Sequence, residues 1–84
     1  MNGTSRMEIA VYPLGTGDSS ISREVSRIFD VLDTCNLTFN VTPLGTIVEG
    51  SPDELFELAQ RLHEIVFSDT VKRVVTVMKI DERR

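Results

Sequence analysis

The sequence is poor in the residues from which cross-links and metal centres are built. Its one cysteine, Cys35, has no partner for an internal disulfide and no companion at metal-ligand spacing, a pattern that suits a cytoplasmic protein. Its one histidine, His63, is too few for a histidine-based metal site. Nine Lys and Arg stand against thirteen Asp and Glu, a formal charge of −4, so there is no broad positive field to hold a phosphate backbone. No apolar run comes near the ~20 residues of a membrane span, and the stretch before Met7 is too short and polar for a signal peptide. These absences point to a soluble intracellular protein whose partner is neutral or cationic, neither nucleic acid nor membrane. With 84 residues it is expected to form one domain. A monomer of that size would leave roughly 40 % of the unfolded chain's surface exposed, so self-association is expected too.

What the chain does have is a repeated string. Pro13-Leu14-Gly15-Thr16 returns as Pro43-Leu44-Gly45-Thr46, each time after residues that alternate like a strand. In the first of these stretches Met7, Ile9 and Val11 point one way and Glu8, Ala10 and Tyr12 the other, with Pro13 expected to end the strand. Ser19 or Ser20 then suits the cap of a helix beginning near Ile21, whose apolar face is Ile21, Val25, Ile28, Phe29 and Leu32. Asn36 suits the left-handed residue that closes such a helix.

Leu37, Phe39 and Val41 alternate with Thr38, Asn40 and Thr42 in a second strand that stops at Pro43, and a third strand over residues 46–49 follows almost at once. So short a connection favours an antiparallel hairpin. Ser51 as cap, Pro52 at the first helical position and Asp53 and Glu54 beside the positive end of the dipole start a second helix. Its stripe is Leu55, Leu58, Ala59, Leu62, Ile65 and Val66. The β-branched run over residues 73–80 is a fourth strand. Residues 1–6 read as a flexible N-terminal extension and residues 81–84 as a charged end.

Strand, helix, strand, strand, helix, strand is the ferredoxin-like βαββαβ pattern, an α+β fold. Right-handed crossovers place its antiparallel strands in the order 4-1-3-2 with both helices on one face. The other face is left bare, with Glu8, Ala10, Tyr12, Thr38, Asn40, Thr42, Thr46 and Val48 expected on it. That mixture is too apolar for ordinary surface, so a second copy of the chain is expected to cover it. The topology gathers Thr16, Ser19, Ser20, Asn40 and Thr46 at one sheet end, where two equivalent corners would form the rim of a small-molecule site.

Five strings, Glu8-Ile-Ala-Val-Tyr-Pro-Leu-Gly-Thr16, Ser20-Ile-Ser-Arg-Glu-Val25, Thr42-Pro-Leu-Gly-Thr-Ile-Val-Glu-Gly50, His63-Glu64 and Arg73-Val-Val-Thr-Val-Met-Lys-Ile-Asp-Glu-Arg-Arg84, resemble the thiamine-binding protein family in order and spacing. The resemblance covers nearly the whole chain from Met7. It implies a ferredoxin-like domain assembled as homodimers or homotetramers, with no known catalysis and no required cofactor, that binds thiamine or its hydroxymethylpyrimidine part. Two loops depart from the pattern. Cys35-Asn36 replaces a Ser-Gly pair after the first helix, and the Gly usual after the second is replaced around Asp69.

Thiamine presents an aminopyrimidine with donors and acceptors and a permanently cationic thiazolium. A site for it needs hydroxyl or amide groups, an apolar or aromatic wall and a carboxylate for the cation. The candidate ligand-binding residues are therefore Tyr12, Thr16, Ser20, Asn40, Thr46 and Glu49. Taken singly, the Ser, Thr and Asn are ordinary turn and cap residues, and Glu49 an ordinary ion-pair partner; their gathering at one sheet end is what favours binding. His63 reads as a boundary residue and Cys35 as a packed thiol, and no nucleophile has a partner for triad chemistry, so no enzyme is expected. Acylphosphatases of this fold need an Arg in the loop after strand one, where Gly15-Thr-Gly-Asp-Ser-Ser20 has none. RNA readers of this topology need aromatics on the central strands, and strand three has no Phe or Tyr. The alternative is an interaction protein that self-associates through its bare face without a ligand.

Overall fold

The computed structural model describes residues 5–14 and 22–84, with the backbone alone for residues 22–24. The element order is β1 (Ser5–Leu14), α1 (Ser22–Thr34), β2 (Thr38–Thr42), β3 (Gly45–Gly50), α2 (Pro52–Ile65) and β4 (Arg73–Glu82). The four strands form one antiparallel sheet in the order β2-β3-β1-β4, and both helices lie on one face, the ferredoxin-like arrangement expected from the pattern.

Local chemistry sets the helix ends. Ser51 caps α2 by accepting from the Glu54 N–H at 3.3 Å, and the Ser51 N–H donates to Glu54 Oε1 at 2.9 Å, a reciprocal capping box with Pro52 behind it. The Ser51 N–H first, and the Ser51 hydroxyl after it, lower the Glu54 carboxyl from its ordinary value by bonding its charged form. At the far end of α1, Asn36 takes the left-handed conformation at φ 60°. The expected cap of α1, at Ser19 or Ser20, lies outside the described residues.

The core joins the two layers. Met7 and Ile9 of β1 and Val48 of β3 meet Leu55, Leu58 and Leu62 of α2 and Val31 and Leu32 of α1, all buried. Burying a side chain of this kind contributes about 1.5–3 kcal/mol each before the entropy of ordering is subtracted.

Three expectations are corrected. Pro13 does not end β1, because Pro13 pairs with Val74 and Leu14 with Arg73. β3 leaves β1 after Ile9 pairs with Thr46, so the last part of β1 has β4 on one side only, and a proline that cannot donate is tolerated at such an edge. Second, β1 begins at Ser5 and β4 runs to Glu82, so Arg6 and Asp81, read as parts of flexible or charged ends, are paired ladder residues. Third, β3 is out of the expected phase. Val48 pairs with Met7 and Thr46 with Ile9, so both face the helices, Val48 fully buried and Thr46 only 9 % exposed; Ile47 and Glu49 occupy the bare face instead.

Candidate functional site

Where β3 ends and β1 continues, the molecule is hollow. A cavity of about 290 Å³ lies between the first half of α1 and the sheet. β1 contributes Ile9, Val11 and Tyr12, and the β2–β3 hairpin contributes Val41, Leu44 and Thr46. Val25, Ile28 and Phe29 of α1 form the roof, with Leu32 and Leu62 among the walls toward the core. Val31 and Leu32 anchor the second half of α1, while Val25 and Phe29 stand 38 and 40 % exposed over the opening.

The hairpin that borders this cavity is held tightly. Thr42 pairs with Gly45 across the two-residue turn Pro43-Leu44. The Thr42 hydroxyl donates to the Gly45 carbonyl at 2.7 Å and accepts from the Leu44 N–H at 3.2 Å, so it is spent within the turn. Gly45 sits at φ +143°, and a Cβ there would lie 2.7 Å from the Ile9 carbonyl oxygen. Only glycine lets the hairpin come this close to β1. The second copy of the repeated string is thus a packing device, and its Leu44, 82 % exposed, is a rim residue.

The expected site residues fall into three groups. Tyr12 and Thr46 border the cavity; Thr46 faces the helices, whereas alternation along β1 puts the Tyr12 side chain on the bare face. Asn40 and Glu49 do not border it: their partners across the ladders, Ile47 and Arg6, put them on the bare face, and Glu49 pairs with Arg6 at 3.6 Å. Thr16 and Ser20 lie outside the described residues, on the segment that joins β1 to α1. β1 runs on to Leu14, about 17 Å of strand beyond Ile9, the residue that pairs with Thr46. Phe29 and Val25, read from the sequence as ordinary core, are the members that residue pattern missed; the aromatic at the border of the α1 stripe is their signal.

The chemistry of the cavity is uniform. Among the described residues, none that lines it carries a formal charge, and Tyr12, Thr42 and Thr46 are the hydroxyl-bearing ones. Elsewhere, His63 is half-buried, shares a hydrogen bond between Nδ1 and Thr76 Oγ1 at 2.7 Å and meets the Phe67 ring edge-on at 5.6 Å. Cys35 packs against the core as a free thiol. Among the described residues no group of three metal-ligating side chains converges, and no helix is long and apolar enough to cross a membrane.

Comparison with known proteins agrees with this architecture. A family model described as Thiamine-binding protein matches residues 7–84. A UPF0045 protein of Methanothermobacter thermautotrophicus is 37 % identical over 78 residues, covering 92 % of this chain and 79 % of the relative. A UPF0045 protein of Staphylococcus xylosus is 33 % identical over 82 residues, covering 93 % and 77 %. The crystal structure of a hypothetical protein from Methanocaldococcus jannaschii superposes with a TM-score of 0.84 at 33 % identity, over 96 % of this chain and 81 % of that one.

Proposed function

The chain belongs to the thiamine-binding protein family, and from that premise we propose that it is a non-catalytic cytoplasmic binding protein whose cavity beneath α1 takes the pyrimidine ring of thiamine or free hydroxymethylpyrimidine. The observation that carries this reading is a cavity of about 290 Å³ with no formal charge among its described lining residues. That volume is at the bottom of the ~300–1,000 Å³ typical of ligand pockets, a size for one ring system rather than an extended molecule. Thr46, which faces the helices, offers a hydroxyl that donates to a ring nitrogen or accepts from an exocyclic amine, and Phe29 and Val41 offer the apolar walls a flat ring needs. The absence of a required cofactor belongs to the same reading. So does the lack of catalysis: His63, the chain's one imidazole, has its Nδ1 committed to Thr76.

Self-association completes the proposal. On the bare face Tyr12, Val75 and Val77 are 50, 37 and 53 % exposed, an apolar patch that a second copy would cover in a homodimer or homotetramer. The same patch favours the second reading, an interaction protein with no ligand. Calorimetric titration with thiamine and with hydroxymethylpyrimidine, alongside light scattering for mass, separates the two. Saturable heat supports the binding module; an oligomer that gives no heat or melting shift at millimolar ligand leaves only the scaffold.

A further inference from the structure

The two edges of the sheet are unequal. β2 closes one side with five residues, and so short an edge is one way a sheet avoids further pairing, whereas β4 closes the other side with ten. β4 holds neither proline nor glycine and pairs with β1 in one unbroken register from Ser5–Glu82 to Leu14–Arg73, so no bulge interrupts it. The N–H and C=O groups that point away from β1 therefore form a continuous row along the edge. The side chains report the same opening. Met78 and Ile80 face the helix layer yet are only half-buried, while Met7, Ile9 and Val48 on the two inner strands are buried.

Along β4 the charges are arranged as a complement of themselves. Arg73 opens the strand and Asp81 stands near its end, both exposed, and neither forms an ion pair among the described residues. Val77 is midway between them. With a second β4 antiparallel beside the first and the twofold axis at Val77, Arg73 of each copy faces Asp81 of the other and Val75 faces the stem of Lys79; on the helix side Val74 faces Ile80 and Thr76 faces Met78. Neighbouring registers lose this match, since an axis at Thr76 sets Arg73 against Lys79 and one at Met78 sets it against Arg83. α2 follows the same side of the molecule, its His63 bonded to Thr76 of β4 at 2.7 Å. Phe56 lies two helical turns before His63 and so shares its flank of α2, where it is 59 % exposed.

We propose that β4 is an interaction edge that pairs with β4 of a second copy, antiparallel about Val77, to make one continuous sheet from the two four-stranded ones. The backbone bonds hold the copies together, the two Arg73–Asp81 pairs select the register, and Phe56 adds apolar contact on the helix side. This surface is distinct from the bare face and needs no ligand, so it stands apart from the reading of the cavity. Edge pairing leaves the two bare faces side by side and open, and a chain that uses both surfaces assembles as a dimer of dimers.

Sedimentation equilibrium on the full chain measures the pairing, and amide hydrogen exchange followed by NMR locates it. Arg73→Asp and Asp81→Arg should each raise the dissociation constant of the edge pair about tenfold, because each turns two attractions per dimer into repulsions, and the double variant should return it to within about twofold of the native value. In the native oligomer every N–H from Val74 to Ile80 should exchange slowly, whereas a β4 paired with β1 alone protects alternate residues only. An oligomer with alternate protection along β4, whose single variants associate as the native chain does, overturns the edge pair and leaves the bare face as the interface. Full protection without rescue by the double variant overturns the Val77 register. A chain that stays monomeric at millimolar concentration overturns both surfaces.

Discussion

Beneath α2 the molecule is closed, and beneath the first half of α1 it is open. Leu55, Leu58 and Leu62 meet Met7 and Val48 with none of the five more than 2 % exposed, whereas Val25 and Phe29 stand 38 and 40 % exposed over a cavity. The helices are nearly matched in length, 13 and 14 residues, and both are amphipathic. The difference comes from the sheet below them. α2 covers the part where β4, β1 and β3 run together; α1 begins over the part where β3 has stopped and β1 runs on. A void under one helix is therefore a consequence of unequal strand lengths. The closed half provides stability, and the open half leaves room for a ligand.

The comparison breaks first at the closed half. Leu55→Ala should cost about 3 kcal/mol in urea unfolding, the loss expected when a fully buried leucine leaves a cavity. A cost below about 1 kcal/mol would mean that the α2 side is no tighter than the other. Gly45→Ala should come next, at about 2 kcal/mol, because the added methyl group meets the Ile9 backbone and the left-handed φ is strained for alanine. An unchanged Tm would show that the hairpin does not depend on this close approach.

Ser51→Ala should cost about 1 kcal/mol through loss of the α2 cap. The same cap gives the chain an acid-sensitive term. The folded Glu54 carboxyl titrates below its unfolded value, so its contribution is fully present above the unfolded carboxylate range and is lost as pH falls through the folded value. Replacing Glu54 by Gln should flatten that part of the stability profile in acid, as read by Tm across a pH series. The smallest effect on stability is expected at the open half. Phe29→Ala should cost no more than about 1 kcal/mol yet weaken thiamine or hydroxymethylpyrimidine roughly tenfold, because the ring forms a wall of the cavity rather than part of the closed core. A large stability loss with unchanged affinity would erase the contrast between the halves.

The fold was largely legible in the sequence. Ser51 with Pro52 announced α2, Asn36 announced the end of α1, and the alternation around Ile9 and Phe39 and the β-branched run around Val77 announced strands. The site was legible only in part. Tyr12 and Thr46 both border one cavity, but only Thr46 faces it from the helix side, with the side chains of Tyr12, Asn40 and Glu49 on the other face of the sheet. Thr46-Ile47-Val48-Glu49 has adjacent apolar residues, so its own alternation does not choose a face. Pairing with Met7 and Ile9 chooses it, and a shift of one residue inverts every side chain.

The order and kind of the elements follow from the residues by themselves, because periodicity, capping and turn chemistry act over a few neighbours in the chain. The phase of β3 and the overrun of β1 past Pro13 were decided only in the folded molecule. Each depends on which strands lie side by side and where one outlasts the other, and those pairings join residues some forty to eighty positions apart.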